Sequence, residues 1–450
     1  MTGVGGLWRA LAARPFGAVF ALALAVRLIN LALLDGHGAF FAEQDTFGYW
    51  ALGAALVKPG GFWPTWSAMT DRMPLYPLLL AGVQSIVGDA PRAVAVMQAV
   101  IDAGTCMLIA ALGRMISPAV GLIAGILAAL CITLVIYSTQ ILTDTLFLFF
   151  FTLMLLAGAK FLLHPSIRLA ALAGLAGGLA LATRPAIALL LAPGVPLVFI
   201  VVIIKRRAFM PALAAAVLFT VAAAAPIAPV LLRNAVSYGS VSLTSQTGDH
   251  LALWIAPLVS ERTAGTPYQA SVEAMEARYR ERLAERGLAA EPNPFRRAAV
   301  KSELAREELA RQPLAAFAQA WLEGMVVNLG APAIVLDPRV RALPRPSFYN
   351  TPGGSLWGKT RAYILDEPGR YQLVLVLGLV AMLPFLVLEA IGFVMLARMQ
   401  PWAAAFAGGV LGYFLILNGP VAAPKYRMPM EPVLIVLAAI PLARLVGEER

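Results

Sequence analysis

Residues 145–163 read TLFLFFFTLMLLAGAKFLL, an apolar run with a single lysine near its end. As an α-helix, a run of this length reaches about 28 Å, which matches the hydrocarbon core of a bilayer. Similar runs recur along the chain and decide its fold class. Ten have spanning length, at 16–34, 93–113, 119–137, 145–163, 169–184, 187–204, 209–230, 371–397, 403–418 and 430–446.

The composition also indicates a lipid environment. Of the 450 residues, 60% are hydrophobic and 13% are charged, whereas soluble domains carry about 25% charged residues. Because a backbone in lipid must satisfy its own hydrogen bonds, we predict an all-α polytopic membrane protein with about ten transmembrane helices, in a range of about 10–13. The net charge of +10 is explained by basic cytoplasmic loops, so we expect no nucleic acid partner.

Basic residues mark every second junction between the apolar runs. They are Arg9 and Arg14, Arg114, His164 and Arg168, Lys205 to Arg207, Arg398, and Arg444 and Arg450. Since basic loops face the cytoplasm, this pattern predicts that both termini are cytoplasmic. The first run is long for a signal peptide and no clear cleavage site follows it, so we expect it to be retained. The predicted location is a bacterial inner membrane.

The spacing of the runs divides the chain into three parts. Residues 1–230 form a transmembrane module that includes the first external loop, 35–92. Residues 231–370 form an external, periplasmic segment, and residues 371–450 contain the last transmembrane helices. We therefore expect two external stretches, on one side of the membrane, to make most of the contacts with molecules outside the lipid.

The long external segment contains helical patterns of its own. In SVEAMEARYRERLAERGL, Val272, Met275, Tyr279 and Leu283 recur at helical spacing. A second charged helix is predicted over 295–311. Two further apolar stretches, 74–88 and 313–332, are predicted as helices at the outer interface of the membrane, because the first is short for a crossing and a crossing by the second would invert the later loops.

Some polar residues inside the apolar runs have a structural interpretation. Arg27 and Asp102 fall within the first two spans and are predicted to neutralise each other. Cys106 and Cys131 also lie in apolar runs, so no disulfide framework is expected. The three histidines, at positions 37, 164 and 250, are scattered and show no metal-ligand spacing.

Asp45 is the most informative polar residue of the first external loop, in the sequence FFAEQDTFGYW. Its aromatic neighbours Phe47, Tyr49 and Trp50 provide apolar surroundings, in which a carboxylate is a stronger general base. The alternative is that Asp45 caps the helix predicted in TFGYWALGAAL. The two roles are compatible.

Five basic residues at separate helix ends fall on the predicted outer side, against the usual charge rule. They are Arg72, Arg184, Arg233, Lys425 and Arg427. Such a set indicates an anionic ligand, for which a lipid phosphate is the natural candidate. The alternative is that these side chains reach individually toward lipid head groups. Asp144, on the same side, could pair with one of these bases, bind substrate hydroxyls or cap a helix.

Several segments in this order carry a family resemblance. They are the loop with Asp45 and Tyr49, RMPLYPLLLAGVQSIVG, QILTDTLFLFFFTLMLLA, GLAGGLALATRPAIALLLAP, APVLLRNAVSYGSVSLTSQTGDHLAL and KYRMPMEPVLIVLAA. Together they resemble the C-type membrane glycosyltransferases, in particular the group of the protein O-mannosyltransferases and the lipid A aminoarabinose transferases. The resemblance covers most of the chain apart from about residues 260–365.

The resemblance implies an inverting glycosyltransferase that moves a single sugar from a polyprenyl-phosphate carrier to an acceptor hydroxyl at the outer face of the membrane. Asp45 matches the catalytic acid of the family's first loop, and Glu43 or Asp144 is a possible second acid. The expected ligands of the donor phosphate are Arg72, Arg184, Lys425 and Arg427. Tyr49, Tyr76, Arg233 and His250 are expected to line the substrate pocket.

No cofactor is required by this scheme, because arginine and lysine can stabilise the leaving phosphate; a divalent metal between Glu43 and Asp45 is the alternative. The expected partners are the lipid-linked donor, the bilayer, and a glycan, lipid or protein acceptor. A transporter or flippase of lipid-linked sugars is a second function class, although it would need polar residues through to the inner face. A third, a multispanning assembly scaffold, leaves Asp45 without a role.

Overall fold

Helices make up the regular structure of the chain in this computed structural model, which describes residues 15–41, 44–345, 347–348, 350–351, 355–366 and 369–446. No strand occurs within these ranges. The all-α polytopic class predicted from hydropathy is therefore confirmed. Glu43, Arg9, Arg14 and Arg450 lie outside the described residues.

Among the described residues, seven helices are long and apolar enough to cross a membrane, or eight if one bent pair is counted as a span. The seven are Pro15–Ala32, Pro91–Arg114, Asp144–Leu163, Pro185–Arg206, Arg370–Met399, Pro401–Asn418 and Pro424–Leu445. The bent pair is Phe209–Ala224 and Ala228–Tyr238, and the shorter apolar helices are Leu75–Val87, Pro118–Leu130 and Ile167–Thr183.

All ten predicted apolar runs are largely helical, but three of them are interrupted. The run at 187–204 is divided at Ala192 and Pro193 into Ala188–Leu191 and Gly194–Arg206. The run at 119–137 is divided at Cys131 into Pro118–Leu130 and Ile132–Tyr137. The run at 209–230 bends by 61° between its two helices. Pro226 lies at this bend, where it provides no N–H donor to continue the helical hydrogen bonds.

Small residues allow two membrane helices to approach closely. Gly174 and Gly178 lie four residues apart on the helix Ile167–Thr183 and face the backbone of Phe209–Ala224. A Cβ at either glycine would lie 2.3 Å from a carbonyl oxygen, that of Phe219 or that of Ala223. The contact is therefore backbone against backbone, as in small-xxx-small packing of membrane helices.

The bundle interior contains one fully buried ion pair far from either end. The Arg27 Nε donates to Asp102 Oδ2 at 2.6 Å, and neither side chain is exposed. Arg27 also donates to the Ala128 carbonyl oxygen at 3.2 Å and lies 3.3 Å from the Cys106 sulfur. The predicted neutralisation of Arg27 by Asp102 is confirmed, and both cysteines are free thiols.

Contacts of basic side chains distinguish the two ends of the bundle. At one end Lys205 Nζ donates to the Leu163 carbonyl oxygen at 2.9 Å, and Arg206 Nη2 donates to that of Pro165 at 2.5 Å. Arg114 lies over the Phe16 ring at the same end. The other end, which we call the site end, carries Asp45, Arg72, Asp144 and Arg184. These basic junctions and the candidate site residues therefore lie at opposite ends of the bundle.

Two helices that run in the same direction carry the first loop, since Asp45, Tyr49 and Gly53 of one meet Arg72, Tyr76 and Leu80 at the other in the same order. Gln44–Val57 packs against Leu75–Val87, and Gly53 makes this possible because a Cβ there would lie 2.8 Å from the Leu80 Cβ. The predicted stretch 74–88 is thus a short helix, and it is tied to the loop through the Gln84 Nε2 bond to the Trp50 carbonyl oxygen at 3.3 Å. A third short helix, Phe62–Ala68, joins the two.

The segment 231–370, which was predicted to be external and keeps that name below, folds into further helices. They are Thr247–His250, the π-helix Leu251–Ile255, Ala256–Ala264, Tyr268–Glu285, Pro294–Ala310, Leu314–Gly330 and Leu356–Leu365. The two predicted charged helices are present and pack through Met275, Leu283, Val300 and Leu304. Ion pairs such as Arg282 with Glu307, at 3.1 Å, join the same two helices.

The helix Leu314–Gly330 covers the predicted interfacial stretch and lies against the site end. Trp321 Nε1 donates to the Ile416 carbonyl oxygen at 3.1 Å, and Asn328 Nδ2 donates to that of Val421 at 3.1 Å. Leu314 and Leu322 remain exposed. The helix therefore combines an anchored face with an apolar face toward the surroundings.

The helix Arg370–Met399 is the longest, with 30 residues, and most of its side chains face outward. Only 6% of its most apolar 18-residue stretch is buried inside the protein. Its first turn is nevertheless fixed, because Tyr371 is buried against Val335 and Tyr363 of the external segment. This helix joins the external segment directly to the membrane bundle.

Candidate functional site

Asp45 lies in the first turn of the helix Gln44–Val57, where the positive end of the helix dipole favours a carboxylate. Its side chain is 53% exposed, and its Oδ1 accepts a hydrogen bond from Arg72 Nη2 at 2.9 Å. The arginine therefore fixes one carboxylate oxygen, while the group remains accessible from outside.

Arg72 precedes the helix Leu75–Val87 and is held on three sides. Besides Asp45, it contacts Asp71 Oδ2 through Nη1 at 3.5 Å. Its guanidinium lies over the Tyr49 ring, 5.4 Å from the centroid. Because Tyr49 is one turn after Asp45 on the same helix, the helix presents a carboxylate and an aromatic face to one arginine.

Tyr49 is surrounded by both charged pairs of the site. Burial raises the pKa of Tyr49 to about 12, while the positive charges of Arg72 and Arg184 act in the opposite direction. Asp45 and Asp144 are near enough to act on the same hydroxyl. At neutral pH Tyr49 is therefore a protonated hydrogen-bond donor between the two pairs.

Tyr76, which was predicted to line the pocket, is fully buried beneath Tyr49. The two rings meet edge to face with centroids 5.5 Å apart. The Tyr76 hydroxyl donates to Gln98 Oε1 at 2.7 Å, and Gln98 Nε2 donates to the carbonyl oxygens of Ser138 and Gln140. Tyr76 thus supports the floor of the site and connects it to the helix Pro91–Arg114.

The second charged pair joins two membrane helices at the site end. Asp144 is the buried first residue of Asp144–Leu163, and it forms an ion pair with Arg184, which follows Ile167–Thr183. Arg184 is 22% exposed and its guanidinium lies 5.6 Å from the centroid of the Phe147 ring. Of the roles left open for Asp144, pairing with a base is the one observed.

The segment Pro424–Met430, a short 3-10 helix at the start of the last span that we call the C-terminal loop, brings further residues to the same end. Tyr426 is near enough to interact electrostatically with Arg184. Lys425 is half-buried, with its Nζ 5.7 Å from the centroid of the Tyr426 ring. These contacts place one predicted phosphate ligand, Lys425, on a loop that adjoins Arg184.

Arg427 has a different environment from the other basic residues of the site. It is 3% exposed and forms ion pairs with Glu389 and with Glu431, the latter at 3.0 Å. Its Nη1 donates to the Leu329 carbonyl oxygen at 2.6 Å. Because Arg427 is buried between two carboxylates, its guanidinium is not accessible to a ligand. Arg427 instead connects neighbouring segments inside the bundle.

Arg233 and His250, the remaining predicted pocket residues, are placed beside the first loop. Arg233 is buried, donates to the Trp66 carbonyl oxygen at 2.9 Å and lies over the Trp66 ring. A backbone bond from Ser245 to the Thr70 carbonyl oxygen, at 2.9 Å, joins the same segments. His250 is exposed at the end of Thr247–His250. Among the described residues, neither side chain forms a hydrogen bond or an ion pair with Asp45, whose partner is Arg72.

Sequence reasoning missed two acids, Glu389 and Glu431, that determine the position of Arg427. Glu389 interrupts the apolar run 371–397 and Glu431 begins the last one. A glutamate within a spanning run was the available signal, since such charges require a partner. Within the described ranges, no group of three or more His, Cys, Asp or Glu side chains is arranged to hold a metal ion.

The site therefore consists of two carboxylate–arginine pairs, with a protonated tyrosine between them, at one end of a membrane bundle. Residues 71–232 match the family model described as dolichyl-phosphate-mannose-protein mannosyltransferase. The match confirms the predicted resemblance to the C-type glycosyltransferases and supports a membrane enzyme that uses polyprenyl-phosphate sugar donors. No curated protein matches the chain. The matched range includes Arg72, Asp144 and Arg184, whereas Asp45 and Lys425 lie outside it.

Proposed function

We propose that this protein is an inverting glycosyltransferase that moves a single sugar from a polyprenyl-phosphate carrier to an acceptor hydroxyl at the outer face of the membrane. The observation that carries the proposal is the accessible Asp45 carboxylate, held by Arg72 at 2.9 Å beside Tyr49. A base and a cation side by side are what transfer from a phosphate leaving group needs.

The reaction is a single displacement. One oxygen of Asp45 is fixed by Arg72, and the other accepts the proton of the acceptor hydroxyl. The acceptor oxygen then forms a bond to the anomeric carbon as the bond from that carbon to the phosphate oxygen breaks. The electron pair of the broken bond stays on polyprenyl phosphate, and Asp45 later releases its proton to water. Attack opposite the leaving group inverts the anomeric centre.

Arg72, Arg184 and Lys425 are the proposed ligands of the donor phosphate. Arg72 and Arg184 keep 18% and 22% of their side chains exposed, although each already has a carboxylate partner. Those partners fix the guanidinium groups in place, so less conformational entropy is lost when phosphate binds. Tyr49, as a protonated phenol, can donate a further hydrogen bond to the phosphate or the sugar.

We also propose that the site end faces the periplasm of a bacterial inner membrane and that both termini are cytoplasmic. Support comes from Lys205 and Arg206, which donate to the carbonyl oxygens of Leu163 and Pro165, at and just after a helix end opposite the site. The acceptor, whether glycan, lipid or protein, would approach through the external helices between residues 231 and 370.

The proposed function is tested by sugar transfer in liposomes. Purified protein is reconstituted with labelled polyprenyl-phosphate mannose, the sugar suggested by the name of the matched family, and with extracts of envelope acceptors. We expect Asp45→Asn to lower the transfer rate by about 10²–10⁴, the usual contribution of a general base.

Asp89→Asn is the matched control. Asp89 is an exposed carboxylate of the same loop, and it accepts a bond from Trp50 on the same helix as Asp45 at 3.0 Å. This variant should keep the wild-type rate. Equal losses in both variants, or movement of labelled lipid across the bilayer without sugar transfer, would contradict the proposal; the second result would indicate a flippase.

A further inference from the structure

Glu389 is a buried acid on Arg370–Met399, a helix whose side chains are mostly exposed. It is 7% exposed, whereas its neighbours Val387 and Ile391 are 57% and 45% exposed. A carboxylate in such a helix is costly unless it has a partner. Its partner is Arg427, on the C-terminal loop, with which it forms an ion pair.

The two acids that bind Arg427 differ in what they can fix. Glu431 is four residues after Arg427 on the same continuous segment, and its bond of 3.0 Å is local. Glu389 belongs to Arg370–Met399, a separate helix, so its bond ties the C-terminal loop to another part of the bundle. Thr133 Oγ1 donates to Glu431 Oε1 at 3.1 Å and completes the cluster.

The part of Arg370–Met399 that carries Glu389 is packed tightly against the last helix. One turn after Glu389, Gly392 packs against Leu437 so closely that a Cβ would lie 1.9 Å from the Leu437 carbonyl oxygen. Arg427 also donates to the Leu329 carbonyl oxygen, at the end of the helix Leu314–Gly330. Three segments therefore meet at one buried guanidinium: the C-terminal segment itself, Arg370–Met399 and Leu314–Gly330.

The loop held in this way carries residues of the site. Lys425 and Tyr426 immediately precede Arg427, and Tyr426 interacts with Arg184 on one side. On the other side Tyr426 packs in a cluster with Tyr268 and Trp321 of the external segment. A displacement of Arg427 would move both side chains relative to Arg184.

We propose that Glu389 is a positioning residue: through Arg427 it holds the C-terminal loop so that Lys425 and Tyr426 face the donor phosphate beside Arg184. This inference rests on the proposed function. It assigns to the buried arginine an indirect role in donor binding, and it gives a reason for an acid in the least buried spanning helix.

The test is the kinetics of Glu389→Gln in the reconstituted enzyme. Glutamine keeps the shape and loses the charge, so the hydrogen bond to Arg427 weakens. We expect the KM for polyprenyl-phosphate mannose to rise about tenfold and kcat to change less than about threefold, since a contact made equally in the ground and transition states affects KM alone. Glu389→Asp, which keeps the charge, should recover part of the loss.

Asp102→Asn is the matched control, because Asp102 neutralises a buried arginine, Arg27, in the same bundle without contact to the site. It should lower thermal stability but leave the donor KM unchanged. In a Lys425→Ala background, Glu389→Gln should add little to the KM, because both changes act on the same contact. An unchanged donor KM in folded Glu389→Gln, or full additivity with Lys425→Ala, would overturn the inference.

Hydrogen exchange separates this inference from the proposed function. The amides of Lys425 to Met428 and of Met430 should exchange faster in Glu389→Gln than in the wild-type protein, whether or not sugar transfer is detected. If the wild-type protein transfers no sugar but these amides still exchange faster in Glu389→Gln, the result would count against the proposed function alone. Identical exchange in both proteins would count against the positioning role.

Discussion

Arg184 and Asp144 form an ion pair that closes the gap between the end of one membrane helix and the start of another. Asp144 is buried and Arg184 is partly exposed. The acid therefore holds the arginine in place, and the arginine faces the site. The pair therefore links the stability of the bundle to the geometry of the site.

This asymmetry predicts how the two members respond to mutation. Arg184→Gln leaves a buried carboxylate without its cation and should lower the free energy of unfolding by about 3–5 kcal/mol. The double variant Arg184→Gln with Asp144→Asn removes that unpaired charge and should be more stable than the single variant. Thermal unfolding in detergent micelles measures both. A double variant that loses the sum of the two single effects would contradict the prediction.

Arg72 should not be replaceable by lysine. The guanidinium contacts the Asp45 carboxylate and the Tyr49 ring at the same time, whereas an ammonium group cannot span both. We expect Arg72→Lys to lower kcat/KM for the donor by about 10–100-fold, as for loss of a hydrogen bond between charged groups. Steady-state transfer kinetics provide the measurement, and activity near that of the wild type would show that a positive charge alone is sufficient.

The backbone contact at Gly174 should limit the size of its side chain. A Cβ there would lie 2.3 Å from the Phe219 carbonyl oxygen, so Gly174→Ala must separate the two helices and should cost about 1–3 kcal/mol. Gly412→Ala is the control. Gly412 lies on the spanning helix Pro401–Asn418, and a Cβ there would meet no atom within 4 Å. We expect a lower Tm for the first variant only, and equal Tm values would contradict the close contact.

Tyr49 should make stability depend on alkaline pH. Its pKa is raised to about 12 by burial, whereas an unfolded tyrosine loses its proton near pH 10. Between about pH 10 and pH 12 the folded protein therefore binds more protons than the unfolded chain, and stability falls as pH rises. Tyr49→Phe should weaken the decrease in Tm between pH 9 and pH 11; an unchanged decrease would assign it to other groups.

The membrane architecture could be predicted from sequence because hydropathy reports directly on lipid contact. The pairing of Arg27 with Asp102 followed for the same reason, since two opposite charges in neighbouring spans have few alternatives. The bend at Pro226 was not predicted, because the apolar run continues through it and composition alone does not show where a helix turns.

The site was predictable only in part. Asp45, Arg72, Asp144 and Arg184 were assigned to one side, and the structure brings them together around Tyr49. The burial of Arg427 was not predicted, because it depends on Glu389, which is 38 residues earlier in the chain. Likewise, sequence gave no sign that Tyr76 would be covered by Tyr49, since ring contacts between two helices depend on their packing.

The length of Arg370–Met399 has a consequence for how far the helix reaches. Its 30 residues extend about 45 Å, whereas the hydrocarbon core is about 30 Å thick. Roughly 15 Å of the helix therefore extends beyond the hydrocarbon, counted over its two ends together. The helix is thus long enough to cross the lipid tails and still carry, in its first turn, the Tyr371 contact with Val335 and Tyr363.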